Sequence, residues 1–215
     1  MNQEAIIELF CRVLECDRCS HSIVLRDSFE NIPQPGYIGR NYEKYRILLI
    51  GQNPGVCPPS MKNKDFVYME ALKNLWINKD KSSYDKLYQI LLQFVPEWPV
   101  QKNYFPLHEC GLGLEDIGYC NIVRCRTSDN KTPSIGTTQN CINEHLIKFI
   151  DGIVPKVIVF IGKWAYIQLN TKLKELPIKL TYMNRDRSLS SDKRDLNRNE
   201  VIKTVLSSIR NDLST

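Results

Sequence analysis

A chain of 215 residues, 42% apolar and with a formal net charge of +5, holds enough apolar material for one sizeable core, so one domain over 1–215 and a monomer are expected. No stretch approaches the roughly 20 apolar residues that span a bilayer, and the opening segment carries Glu4, Glu8 and Glu15, so no membrane partner is expected and the cytoplasm is the expected setting. The mild basic excess suits a partner built of phosphates.

Ile6, Phe10, Val13 and Leu14 recur at helical spacing and predict a first helix, which runs into Cys16-Asp17-Arg18-Cys19. A polar loop with Pro33, Pro35 and Gly36 follows. Tyr45 to Ile50 is a short apolar run closed by Gly51, the pattern of a buried strand. Phe66 to Trp76 and Tyr84 to Phe94 read as helices, the second stopped by Pro96 and Pro99. Ile117 to Val123 is a second strand, and Ile142, Leu146, Phe149 and Ile150 mark a helical face. Lys156 to Ile161, closed by Gly162, is the clearest strand, and Trp164 to Leu169 starts a helix. Ile178 to Tyr182 is a fourth strand. A charged loop from Met183 to Arg194 precedes a last helix through Val201, Val205 and Ile209.

Strands alternating with helices predict an α/β protein of three layers, α/β/α, around a four-stranded parallel sheet. Ligands of such sheets bind at the carboxyl ends of the strands. The loops after Ile50, Val123, Ile161 and Tyr182 are therefore the places for chemistry.

Eight cysteines in a reducing compartment do not form a disulfide framework. Cys16 and Cys19 are a C-x-x-C pair; Cys125 follows a strand, and Cys141 precedes a helical face. Four thiolates hold either a [4Fe–4S] cluster or a zinc ion, and spacing does not choose between them. Cys11, Cys57, Cys110 and Cys120 read as structural, with Cys57 close to the candidate site.

Several motifs stand in a recognisable order. They are Cys16-Asp-Arg-Cys19, Gly51-Gln-Asn-Pro-Gly55, Asn121-Ile-Val-Arg-Cys125-Arg126, Asn130-Lys-Thr-Pro133, Cys141 and Pro155-Lys-Val-Ile-Val-Phe-Ile-Gly162. Together they resemble the iron–sulfur (family 4) enzymes of the uracil-DNA glycosylase superfamily. The resemblance implies a uracil-DNA glycosylase-like fold, DNA as partner, and a [4Fe–4S] cluster on Cys16, Cys19, Cys125 and Cys141.

The resemblance implies a monofunctional enzyme that flips a pyrimidine out of DNA and hydrolyses its N-glycosidic bond. The Gly51–Gly55 motif would hold the water and line the base pocket. Family 4 has Glu where this chain has Gln52, and mismatch-type relatives have Asn at the next position, as Asn53 is here. An amide oxygen orients water but does not deprotonate it, which makes Asn53 the expected water-holding residue. Asn121 offers a donor and an acceptor to a pyrimidine edge, and Phe66 matches the family's base-stacking aromatic, with Tyr68 and an ordinary core role for Phe66 as alternatives.

The family's closing Tyr-His-Pro is absent: the matching stretch reads Thr181-Tyr182-Met183-Asn184-Arg185. Met183 stands at the histidine position, and Asn184 is the expected substitute donor. Arg185, Arg187 and Leu189 are the expected DNA contacts, one of them a wedge for the vacated stack. His21 and His145 read as structural. The substrate implied by the resemblance is uracil or a modified or damaged pyrimidine, in a repair role or in defence against the bulky bases of phage DNA. The competing reading is a catalytically inactive DNA-binding protein on the same fold.

Overall fold

The computed structural model describes residues 2–19, 32–94, 105–186 and 188–212. The chain resolves into two compact units, each gathered from three stretches.

The first unit is Met1–Tyr37, Asn53–Phe94 and Asn121–Ile153. It begins with α1 (Gln3–Leu14), capped by the Asn2 side chain accepting from the Glu4 N–H, with Phe10, Val13 and Leu14 buried as their spacing predicts. Helices α3 (Lys62–Asn78) and α4 (Lys81–Phe94) form an antiparallel-type pair through a tight link, the left-handed Lys79 closing α3. α5 (Ile135–Cys141) is capped by Ser134, whose hydroxyl accepts from the Thr137 N–H. It continues through a π-type turn, Ile142–Leu146, into α6 (Ile147–Ile153). Gly152 lets α1 lie close to α6, because a side chain there would meet the Leu9 methyl at 2.8 Å.

The π-type turn has a physical reason. Cys141, Ile142, His145, Leu146, Phe149, Ile150 and Ile153 are all buried, a repeat of four residues. A straight helix has about 3.6 residues per turn, so a four-residue repeat drifts out of phase with it. One wider turn, in which the Ile147 N–H reaches back to the Ile142 carbonyl, restores the phase.

The second unit is Ile38–Gln52, Val95–Cys120 and Val154–Thr215. It carries nearly all of a five-stranded sheet, ordered β1-β3-β2-β4-β5. The strands are β1 (Tyr37–Ile38), β2 (Ile47–Gly51), β3 (Ile117–Asn121), β4 (Val157–Ile161) and β5 (Lys179–Met183). The α/β class expected from the sequence is observed. The strand number is corrected from four to five: β1 is two residues long, too short for an alternation to register. A short helix, α2 (Tyr42–Tyr45), separates β1 from β2. The second expected strand stops at Asn121 rather than Val123, and the fourth is shifted one residue later.

β2, β4 and β5 are parallel, with Ile50 opposite Phe160 and Ile161 opposite Met183. Ile47 to Ile50 and Val157 to Phe160 are fully buried, the continuous apolar run of strands covered on both faces. β5 lies at the sheet's margin, and only Met183 in it is buried. α7 (Lys163–Leu173) follows β4, and α8 (Ser191–Asp212) follows β5 and packs against it. α8 begins inside the segment expected as loop: residues 191–194 are helical despite their charge.

Candidate functional site

The parallel register sets the carboxyl ends of β2, β4 and β5 along one edge of the second unit. Gly51 is buried there, and Gln52 follows it half-buried. Gly162, with φ +101°, turns the chain from β4 into α7, and its N–H donates to the Met183 carbonyl at 2.9 Å. The Arg185 stem lies over Gly162, within 3.5 Å of where a Cβ would stand.

Met183 is 5% exposed, a buried thioether at the end of β5. Asn184 is half-buried and held at both ends. Its N–H donates to Asn197 Oδ1 at 2.7 Å, Asn197 Nδ2 donates to the Tyr182 carbonyl, and Asn184 Oδ1 accepts from the Asp186 N–H at 3.0 Å. That last bond needs an oxygen, so the Asn184 NH₂ faces away from the turn. Asp186 in turn accepts from the Ser188 N–H and hydroxyl, which hold its carboxyl below its ordinary range. Arg185 is exposed and Leu189 half-buried; Arg187 lies outside the described residues.

The first unit begins at Asn53 in this region. Pro54 is buried and Gly55 exposed. Asn53 Nδ2 donates to the Pro54 carbonyl and to Thr127 Oγ1, both at 3.1 Å. Thr127 is fully buried, and its hydroxyl donates to the Lys131 carbonyl at 2.6 Å. Asn130 Oδ1 accepts from the Val56 N–H at 2.7 Å. The loop after β2 and the loop at 127–131 are thus tied by two side-chain amides.

Asn121 is 6% exposed at the end of β3. Phe66 is 52% exposed on α3, which removes the core reading, while Tyr68 is 4% exposed and belongs to the core. The turn of α3 that carries Phe66 is fastened by Asp65. Its carboxylate takes a two-pronged bond from Arg126, with one prong at 2.9 Å, and both side chains are largely buried. Arg126 stood in the motif, but its partner Asp65 had no sequence signal.

None of the cysteines is in a disulfide among the described residues. Cys19, Cys125 and Cys141 are buried, and Cys16 is half-buried. The Cys141 thiol is raised well above its ordinary value, first by its hydrogen bond with Cys19, then by burial and by the nearby charges of Cys19 and Cys125. A backbone hydrogen bond from Arg124 acts the other way. Cys141 and Cys19 are therefore within hydrogen-bond reach and Cys125 is near enough for its charge to be felt, though they come from the end of α5, a loop after α1 and a loop after β3. Among the described residues no group of three or more His, Cys, Asp or Glu is arranged as a ready-made metal centre.

Arg124 tests whether this place fits an iron–sulfur cluster. Its guanidinium is 1% exposed and stacks over Phe149 at 5.0 Å. Nη1 donates to the Pro35 carbonyl at 2.6 Å, while Nε and Nη2 have no partner among the described residues. A buried cation with unused donors calls for a nearby anion. A cluster on four thiolates carries net negative charge, so the buried thiols and the adjoining guanidinium fit it. His145, also buried, has both ring nitrogens unpartnered among the described residues, and burial together with the Arg124 charge pushes its pKa down to about 4. His108 is exposed, and His21 lies outside the described residues. Cys57 is half-exposed just after Gly55.

A family model described as the uracil DNA glycosylase superfamily matches residues 40–208. A type-4 uracil-DNA glycosylase of Thermotoga maritima is 39% identical over 59 residues, which is 27% of this chain and 30% of that protein. One of Archaeoglobus fulgidus is 32% identical over 59 residues, 27% of this chain and 29% of that protein. The chain thus matches under a third of the length of each of these two relatives.

Proposed function

Since this chain belongs to the uracil DNA glycosylase superfamily, we propose that it is a monofunctional DNA glycosylase that removes a pyrimidine, with water as the nucleophile. The observation that carries the reading is the Asn53 side chain. Both of its N–H groups are spent on Pro54 and Thr127, and its Oδ1 has no protein partner among the described residues. An acceptor held still at a strand's carboxyl end is what positions a water without deprotonating it.

In the reaction, the water oxygen bonds to C1′ as the C1′–N bond breaks. The bonding electron pair leaves on the base, and a proton of the water is released to solvent or to the departing base. Positive charge grows on the sugar and negative charge on the base, so a donor is needed at the base. The Asn184 NH₂, turned outward by its bond to Asp186, is the donor in this proposal. Asn121 reads the pyrimidine edge, and the exposed ring of Phe66 stacks on the flipped base. Gln52 acts beside Asn53 as a catalytic residue in this proposal, and Gly51, Pro54, Gly55 and Met183 are its further substrate-binding residues. Arg185, Arg187 and Leu189 meet the DNA, and the cationic contacts make binding salt-sensitive.

Cys16, Cys19, Cys125 and Cys141 hold a [4Fe–4S] cluster in the same proposal. When bound, it would cross-link two loops and the end of α5, and the hydrolysis itself needs no redox step from it. Residues 1–215 then act as one glycosylase domain.

The test is mass spectrometry of bases freed from uracil-containing DNA and from hypermodified phage DNA. Wild-type protein is expected to release a base, and Asn53→Ala to lose about 10²–10³-fold in rate, the scale of one lost polar contact at a reacting centre. A buried Met183, which has no hydrogen to donate, favours one other reading: a DNA-binding protein without catalysis. Tight DNA binding with no base released from either substrate would establish that reading instead.

A further inference from the structure

We propose that Thr127 is the positioning residue for Asn53, fixing which way its amide faces and excluding a carboxylate at that place; this deepens the reading of Asn53 as water holder. The argument rests on counting hydrogens. The Lys131 carbonyl is 2.6 Å from Thr127 Oγ1 and has no hydrogen to give, so the single hydroxyl hydrogen of Thr127 points at it. Towards Asn53, Thr127 therefore presents only a lone pair. The Pro54 carbonyl presents only lone pairs as well.

The Asn53 atom 3.1 Å from both must be the nitrogen, and its two hydrogens meet two acceptors. Oδ1 is turned to the opposite side with its lone pairs unspent. The orientation is thus dictated by groups that cannot exchange roles.

The surrounding turn makes the device stiff. Thr127 is fully buried in extended backbone, with φ −114° and ψ 148°. Asp129 and Asn130 both adopt left-handed backbone, φ 53° and 55°, which folds the Lys131 carbonyl back over the Thr127 hydroxyl. The Lys131 N–H donates to the Ser128 carbonyl at 3.0 Å, and Asn130 clamps Val56 from the same turn. Left-handed backbone is uncommon for side-chain-bearing residues and is tolerated best by Asn and Asp.

An aspartate at 53 would set a charged oxygen against the Pro54 carbonyl and the Thr127 lone pair. Relief would require Thr127 to withdraw its hydrogen from Lys131, leaving that carbonyl short of a donor. The chain is committed to an amide here, and so to orienting water rather than to taking its proton.

Three variants test this: Thr127→Val, which keeps the shape and removes the hydroxyl, Thr127→Ser, which keeps the hydroxyl, and Asn53→Asp. The first readout is the ¹⁵N-resolved side-chain amide of Asn53, which needs no activity. Slow solvent exchange of its protons is expected in the wild type and in Thr127→Ser, and fast exchange in Thr127→Val. Equal, fast exchange in all three overturns the proposal.

The second readout is base release. Thr127→Val is expected to lower kcat about 10²-fold, the scale of a misplaced reacting group, with KM within about threefold. Thr127→Ser is expected to restore the rate, and Asn53→Asp to be slower than wild type. A folded Thr127→Val with wild-type kcat, or an Asn53→Asp that is faster, overturns the proposal. Protected amide protons with no base released by any variant would instead overturn the glycosylase reading and leave the Thr127–Asn53 assignment standing.

Discussion

At the scale of single residues, what was legible followed from motif and residue chemistry. Asn53 could be picked out as a candidate because it stands in a Gly-Gln-Asn-Pro-Gly motif that resembles the mismatch-type relatives. Thr127 could not, because one threonine in a loop makes no pattern; its role depends on a backbone carbonyl four residues on. Phe66 was ambiguous because a helical aromatic has the same sequence signature whether it faces core or solvent. His145 carries a prediction of its own. Burial and the Arg124 charge lower its pKa from 6.5 to about 4, so the folded protein holds the ring neutral. Between those values the unfolded chain binds the extra proton. The stability contributed by the neutral ring is complete above about pH 6.5 and is lost as pH falls towards 4, at up to about 1.4 kcal/mol per pH unit. Urea unfolding at pH 7.5 and 5.5 checks this: His145→Leu should lose less stability across that interval than the wild type. An equal loss would show that His145 does not set the acid limb.

At the scale of elements, strands with long apolar runs were readable because burial on both faces leaves no polar positions. β4 is the clearest case, and β5 the least exact, since a marginal strand mixes exposed and buried positions. The π-type turn was invisible to a search at helical period, because Ile142, Leu146, Phe149 and Ile150 fit an ordinary helix well enough over a short window. The start of α8 was missed because its first turn is charged and buries nothing that a periodicity could detect. The junction of β4 and α7 depends on Gly162 at φ +101°, a backbone region that residues with a Cβ adopt only under strain. Gly162→Ala is expected to cost about 1–3 kcal/mol through backbone strain alone, since the Arg185 stem stands at ordinary contact distance from the added methyl. Thermal unfolding reads the effect.

At the scale of the whole molecule, the α/β class and the order of motifs were legible because they are properties of the chain read in sequence. The division into two units was not, since each unit is gathered from three separate stretches and no composition shift marks where they change. The cysteines show the same limit. Sequence supplied four candidate ligands, and folding decides that Cys141 meets Cys19. Cys125→Ser is expected to lose iron and solubility together, measured as iron per chain and soluble yield; full iron content with unchanged stability would remove it from the ligand set. The sheet carries one more consequence. One of its margins is β1, only two residues long, and the other is β5, which opens on Lys179 with its ammonium 3.3 Å from the Ser207 hydroxyl. Short margins and lysine are poor templates for a foreign strand. Crowded copies of this protein should therefore resist zipping into fibrils edge to edge, and clustering through these two margins would have to run through side chains rather than backbone.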